Sequence, residues 1–307
     1  MRPTYIELIK SGEIETRRKK LNSILGSCTL CPRECKVNRL EGESGFCSAG
    51  KLPTISSAHP HFGEESPLVG SAGSGTIFFT GCNLGCIYCQ NYDISHLGVG
   101  ESISIKELAQ SMLRLQRIGC HNINFVTPTH YTPQMVEAII AAESDGLKIP
   151  IVYNCGGYEK IETLKLLDGI IDIYMPDMKY GRSAEAEKYS CARDYPKTSF
   201  SAISEMHRQV GDLKLDVSGI AYRGLLVRHL VLPNDIAGSE EVFKFLAENI
   251  SKNTYLNIMD QYQPQFDAWK HEELSRGPTR KEYKRAIDLA KRYGLTRGET
   301  YRHEWLK

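Results

Sequence analysis

Seven of the ten cysteines fall into two sets whose spacing suits metal chemistry. One set lies in Phe78-Phe79-Thr80-Gly81-Cys82-Asn83-Leu84-Gly85-Cys86-Ile87-Tyr88-Cys89-Gln90-Asn91, a C-x3-C-x2-C array. Gly81 and Gly85 let the backbone bend around a bulky group. A zinc site wants four ligands, and the nearest later candidate for a fourth is His96. A cubane of four irons takes four thiolates when fully ligated. Three cysteines therefore leave one iron open to a small ligand. The other set, Cys28, Cys31, Cys35 and Cys47, is spaced C-x2-C-x3-C-x11-C. Four cysteines in a segment with little core of its own argue for a structural metal. Zinc in one compact knuckle is one reading. A second [4Fe–4S] cluster is the other, since Cys31-Pro32 is ferredoxin-like and a relay to the first site would be useful. His59-Pro60-His61-Phe62-Gly63-Glu64-Glu65, between the sets, reads as a polar loop, with metal or substrate contact as the other reading.

The rest of the composition frames this chemistry. With 38 basic and 37 acidic residues the net charge is +1, which gives no electrostatic footprint for nucleic acid or a membrane surface. The run Arg17-Arg18-Lys19-Lys20 is short enough for a solvated helix face. No stretch has the apolar length of a membrane span, and the first residues lack a signal-peptide core. The expectation is a cytoplasmic protein, and in a reducing compartment clustered cysteines mean metal or catalysis rather than disulfides.

The elements that must position these groups follow from hydrophobic patterning. Residues 4–25 read as helix broken at Ser11-Gly12, and residues 26–75 as Cys-, Gly-, Ser- and Pro-rich chain draped over something else. From Thr76 onward, short apolar runs predict strands near 76–80, 122–126, 149–153, 170–175, 225–232 and 254–259. Their near-continuous hydrophobicity suits strands buried on both faces of a parallel sheet. Between them Ser104-x-x-Glu107 is a capping box, Thr132-Pro133 opens a helix and Ser239 can cap another. A helical insert is expected around 183–212 and a last helix over 279–293. Six strands alternating with helices predict an α/β fold, either a partial (β/α)6 TIM-like barrel or an open doubly wound sheet. The predicted division is a helical, Cys-rich N-terminal extension over 1–75 and the barrel with its C-terminal helix over 76–307. In such folds active groups sit at the C-terminal strand ends, which is where Cys82, Cys86 and Cys89 fall.

C-x3-C-x2-C with an aromatic, here Tyr88, just before the last cysteine resembles the signature of the radical S-adenosylmethionine (SAM) superfamily. The phrase GCNLGCIYCQN is similar to that of pyruvate formate-lyase activating enzymes, and the resemblance extends over about 76–265. It implies the partial barrel, a [4Fe–4S] cluster on Cys82, Cys86 and Cys89, and reductive cleavage of SAM to a 5′-deoxyadenosyl radical. It carries cofactor contacts to matching positions. After the second strand the activating enzymes have glycine-glycine-glutamate. This chain has Val126-Thr127-Pro128-Thr129-His130-Tyr131 instead, leaving Thr127 and Thr129 as oxygens for an ammonium group. Asn154 follows the third strand. Asp177 and Lys179 match the family's Asp-x-Lys after the fourth, and Arg228 matches an arginine in the fifth. Alternation sends Arg228 and His229 to opposite faces. Tyr262 lies near a family histidine that meets the cofactor, with Met259, Asp260 and Gln261 beside it.

The resemblance also implies an electron donor such as flavodoxin or ferredoxin and, as one reading, a glycyl radical protein as partner. The extra cysteines precede the radical motif here, whereas some glycyl-radical activases carry extra cluster motifs after it. The chain thus looks like an uncharacterised subgroup related to the pyruvate formate-lyase activating enzymes. Action on a small molecule or peptide is the alternative, and a non-catalytic Fe–S or zinc protein is a reading of another class.

Overall fold

The computed structural model describes residues 2–298. Its nine strands are β1 (Thr54–His61), β2 (Ser74–Phe79), β3 (Glu101–Ser102), β4 (Ile123–Val126), β5 (Ile151–Cys155), β6 (Ile173–Pro176), β7 (Lys214–Leu215), β8 (Ala221–Leu230) and β9 (Tyr255–Met259). Six of them run parallel in the order β2-β4-β5-β6-β8-β9. Helices connect them: Ile105–Ile118, Thr132–Ser144, Ile161–Leu166, the pair Ser183–Ser190 and Tyr195–Val210, and Ser239–Phe245. This is the partial (β/α)6 barrel, left open between β9 and the β1 edge.

Both faces of the curled sheet are filled, which explains the unbroken apolar runs. Ile77, Phe79, Ile123, Phe125, Ile151, Tyr153, Tyr174, Leu225, Val227, Leu256 and Ile258 point outward to Leu108, Met112, Leu115, Val136 and Ile139 of the helices. The alternate residues point inward. Low in the lumen Val152, Ile173, Met175, Leu226 and Tyr255 close around Leu68, which is fully buried. Leu68 belongs to a turn of helix, Ser66–Val69, in the chain between β1 and β2. That chain is the barrel's floor.

The N-terminal helices Tyr5–Ser11 and Glu13–Ile24 break at Gly12, as the Ser11-Gly12 step suggests. They dock on the barrel's outside. The backbone N–H of Thr4 donates to Asp172 at 2.9 Å, and the Tyr5 hydroxyl donates to the Ile149 carbonyl at 3.1 Å. The segment before residue 76 is more than draped chain, because β1 pairs antiparallel with β2 along its whole length. Ser239 is the first residue of its helix, not the cap, and its hydroxyl meets His229 instead. The last helix is Arg280–Arg292, with a capping box at Thr279 and Glu282. Among the described residues no helix is long and apolar enough to cross a membrane.

Candidate active site

β2 delivers the chain to the C-terminal rim, where the cysteine loop begins. Gly81 turns with φ of +76°, and a Cβ there would run into the carbonyl oxygen of Cys47, so glycine is needed for both the turn and the close approach. The loop is pinned to the helix Ser183–Ser190. Gly85 N–H donates to Ser190 O at 3.3 Å and Ile87 N–H to Tyr189 O at 2.9 Å. Each sulfur has a donor beside it. The Leu84 N–H lies 3.3 Å from Cys82 Sγ, the Ser190 hydroxyl 2.9 Å from Cys86 Sγ and the Ser95 hydroxyl 3.1 Å from Cys89 Sγ. Such donors favour thiolate over thiol. Burial pushes the Cys86 thiol up to about 11, against the pull of Lys179. A bound cation reverses that balance.

All three cysteines line one cavity of about 380 Å³. The same cavity is lined by a row of polar and charged groups: Asn154 in β5, Asp177 and Lys179 just past β6, and Arg228 in β8. The Arg228 Nε donates to Asp177 Oδ1 at 2.8 Å and its Nη2 to Asn154 Oδ1 at 2.7 Å. The Lys179 ammonium donates to Asp177 Oδ2 at 2.7 Å. Burial works to raise the Asp177 carboxyl, but Arg228 and Lys179 outweigh it and hold it below the usual range. From the floor, Glu64 reaches Arg228 at 3.7 Å and Glu65 at 3.9 Å. Burial pushes Glu64 up to about 7, against the pull of Arg228. Asn257 in β9 donates to Glu65 at 3.0 Å.

Of the residues singled out in the sequence, Asp177, Lys179, Asn154, Arg228, Thr127, Tyr88, Met259 and Gln261 line this cavity. Thr127 does so with φ of +57°, a strained conformation for a β-branched residue. Thr129 does not reach it. Its hydroxyl turns away to donate to the buried Glu159 at 2.6 Å. Tyr262 does not either, because the chain turns after β9 and the hydroxyl donates to Leu274 O at 2.7 Å. The Tyr262 ring backs the ring of Tyr88 edge-on at 5.9 Å. His229 packs outward, bonded to Met178 O and Ser239 and edge-on to Phe243. His130 leaves the main cavity and lines a second one with Cys28, Cys31, Cys35 and Cys47. Sequence reasoning gave the 59–65 stretch as a polar loop, with metal or substrate contact as its other reading, and from it Glu64 and His61 line the main cavity. It also left His96 as a distant ligand candidate, whereas its ring stacks on Phe266 at 4.5 Å and its Nε2 meets Cys86 O.

The donor set fits an iron–sulfur cluster with one open iron. Three thiols line one cavity, each with a hydrogen-bond donor, and the same cavity carries the charges to receive a zwitterion.

Comparison with known proteins agrees with this chemistry. Residues 76–220 match the Radical SAM superfamily. An uncharacterized protein of Methanocaldococcus jannaschii is 32% identical over 298 residues, covering 94% of this chain and 82% of that one. The pyruvate formate-lyase-activating enzyme of Clostridium pasteurianum is 27% identical over 202 residues, covering 63% of this chain and 76% of that one. Among solved structures, a radical SAM methyltransferase from Sphaerobacter thermophilus aligns with a TM-score of 0.49 at 15% identity, over 73% of this chain and 65% of that one.

Proposed function

We infer that this chain, which belongs to the radical SAM superfamily, uses SAM to take a hydrogen atom from the backbone glycine of a partner protein. Membership implies a [4Fe–4S] cluster and SAM as cofactors. When bound, the cluster supplies the electron that splits the S–C5′ bond and frees a 5′-deoxyadenosyl radical. The observation that carries the reading is the joining of Cys82, Cys86 and Cys89 with the Lys179–Asp177–Arg228–Asn154 row in one cavity.

This chain's own residues bind, orient and exclude water. Arg228 and Lys179 give the cavity wall cationic groups suited to a carboxylate. Asp177, ionised between them, fixes both side chains and can accept from an ammonium or a ribose hydroxyl. Asn154 holds the guanidinium plane by accepting from Nη2. Thr127 offers an oxygen on the side of β4. The apolar layer around Leu68 seals the lumen from below, so charges above it act in a medium poorer than water.

The glycine as target is supported by the relationship to the Clostridium pasteurianum enzyme. A flavodoxin or ferredoxin is the fitting class of electron donor. The test is anaerobic reconstitution with iron and sulfide, then dithionite and SAM, with 5′-deoxyadenosine measured. We expect product from the parent chain and none from Cys86→Ala. Parent protein with an assembled cluster but no product removes the enzyme reading. A non-catalytic iron–sulfur protein predicts that Asp177, Lys179 and Arg228 are dispensable for SAM binding. A glycyl-radical EPR signal in a co-incubated partner decides for the activase.

A further inference from the structure

Cys28, Cys31, Cys35 and Cys47 line a cavity of about 10 Å³. A zinc knuckle would draw four thiolates to about 2.3 Å from a single ion. Among the described residues no three His, Cys, Asp or Glu groups converge on a single-ion site, neither within these four cysteines nor within Cys82, Cys86 and Cys89. A cube of four irons instead takes four thiolates, one on each iron.

His130 supplies an independent observation. It is 1% exposed and lines the same cavity. Its Nε2 lies 2.7 Å from the Thr80 carbonyl, which can only accept, so Nε2 carries the proton. Nδ1 is then a buried lone pair with no partner in the protein. An unpaired buried polar atom costs about 1–3 kcal/mol, which marks the cavity as a place for a group the protein does not itself supply. Arg39 is also buried. It donates to the carbonyls of Gly50 and His130, and its charge acts on Cys47. It offsets the negative charge that four thiolates would bring.

We propose that Cys28, Cys31, Cys35 and Cys47 hold a second [4Fe–4S] cluster, which passes electrons to the cluster at Cys82, Cys86 and Cys89. The site stands on its own geometry; the relay rests on the radical SAM reading. Cys35 is exposed and the neighbouring Phe46 is 45% exposed, which gives this set an edge at the surface. Its inner edge touches the radical loop. The Cys47 carbonyl packs on Gly81, next to Cys82, and Arg33 Nε donates to Asn83 O at 2.9 Å. A reduced flavodoxin or ferredoxin gives up one electron at the exposed edge. The second cluster takes it and passes it inward, with no bond made or broken and no proton transferred.

The test counts metal in the Cys82→Ala/Cys86→Ala/Cys89→Ala variant after anaerobic reconstitution. About four irons and four sulfides per chain, with a reduced-cluster EPR signal, are expected. Bound zinc without iron overturns the site. Mössbauer spectra of the iron-57-enriched parent chain give the same decision if the variant fails to fold: two clusters per chain support the site, one overturns it. For the relay, Cys35→Ser is driven by a protein donor and, separately, by dithionite. The ratio of the two rates of 5′-deoxyadenosine formation is expected to fall roughly tenfold or more relative to the parent. An unchanged ratio overturns the relay. No product from the parent with either donor condemns the superfamily reading instead, and the iron count still judges the site.

Discussion

Replacing Glu159 by glutamine isolates a single buried carboxyl and its link to stability. Glu159 is 2% exposed and accepts from the Thr129 hydroxyl at 2.6 Å and the Tyr153 hydroxyl at 3.0 Å. Burial pushes its carboxyl from the ordinary 4.5 up to about 7, with the two hydroxyls pulling down. Between those two values the folded chain keeps a proton that the unfolded chain has lost. Stability is therefore fully present below about pH 4.5 and falls as pH rises through about 7. At about 1.4 kcal/mol per pH unit the loss amounts to roughly 3 kcal/mol. Glutamine keeps the shape and an accepting oxygen but does not titrate. Urea unfolding of parent and Glu159→Gln, anaerobically at pH 5, 6, 7 and 8, reads the difference so that other titrating groups cancel. Relative to the parent, the variant should gain about 3 kcal/mol across that range. A difference that stays flat from pH 5 to pH 8 refutes the reasoning.

Three further substitutions probe other parts of the architecture. Arg228→Met leaves Asp177, Glu64 and Glu65 without their shared cation and should cost about 3–5 kcal/mol in urea unfolding. Calorimetry on the reconstituted variant should show SAM binding weakened by roughly tenfold or more. Leu68→Ala empties the middle of the floor and should destabilise by about 2–5 kcal/mol without touching the cysteines, read as a lower urea midpoint with normal iron content. Gly81→Ala forces a side chain into the Cys47 carbonyl at a left-handed φ, so the variant should bind less iron and expose the N-terminal loop to protease.

What could be read from the sequence follows a physical rule. The six parallel strands were legible because each is pressed between helices and lumen, so that Ile173, Tyr174 and Met175 are all apolar although they face opposite ways. Asp177 and Lys179 were expected from the resemblance, as its Asp-x-Lys after the fourth strand, and a two-residue spacing at a strand end keeps both on one side. The same alternation sends Arg228 inward and His229 to Phe243. β1 was missed because its burial has no clean period, with Ser56 and His59 exposed, and because β3 pairs with only its first two residues, leaving Pro60 on an otherwise open side. Thr129 and Tyr262 were expected at the cofactor because the resemblance carries cofactor contacts to their positions. The turn Thr129–Tyr131 and the bend after Met259 redirect them. Glu64 could be named only as part of the 59–65 stretch, because its partner Arg228 is far away in sequence and only the folded floor brings them together.

The stoppered lumen dictates a timetable. With Leu68 and its ring of neighbours filling the bottom, traffic to the charged row passes the cysteine rim, and what sits deepest must arrive first and depart last. On the proposed function, SAM should precede the substrate, and 5′-deoxyadenosine should stay until the substrate withdraws. Steady-state kinetics should then show compulsory-order behaviour, with 5′-deoxyadenosine competing against SAM and not against the substrate.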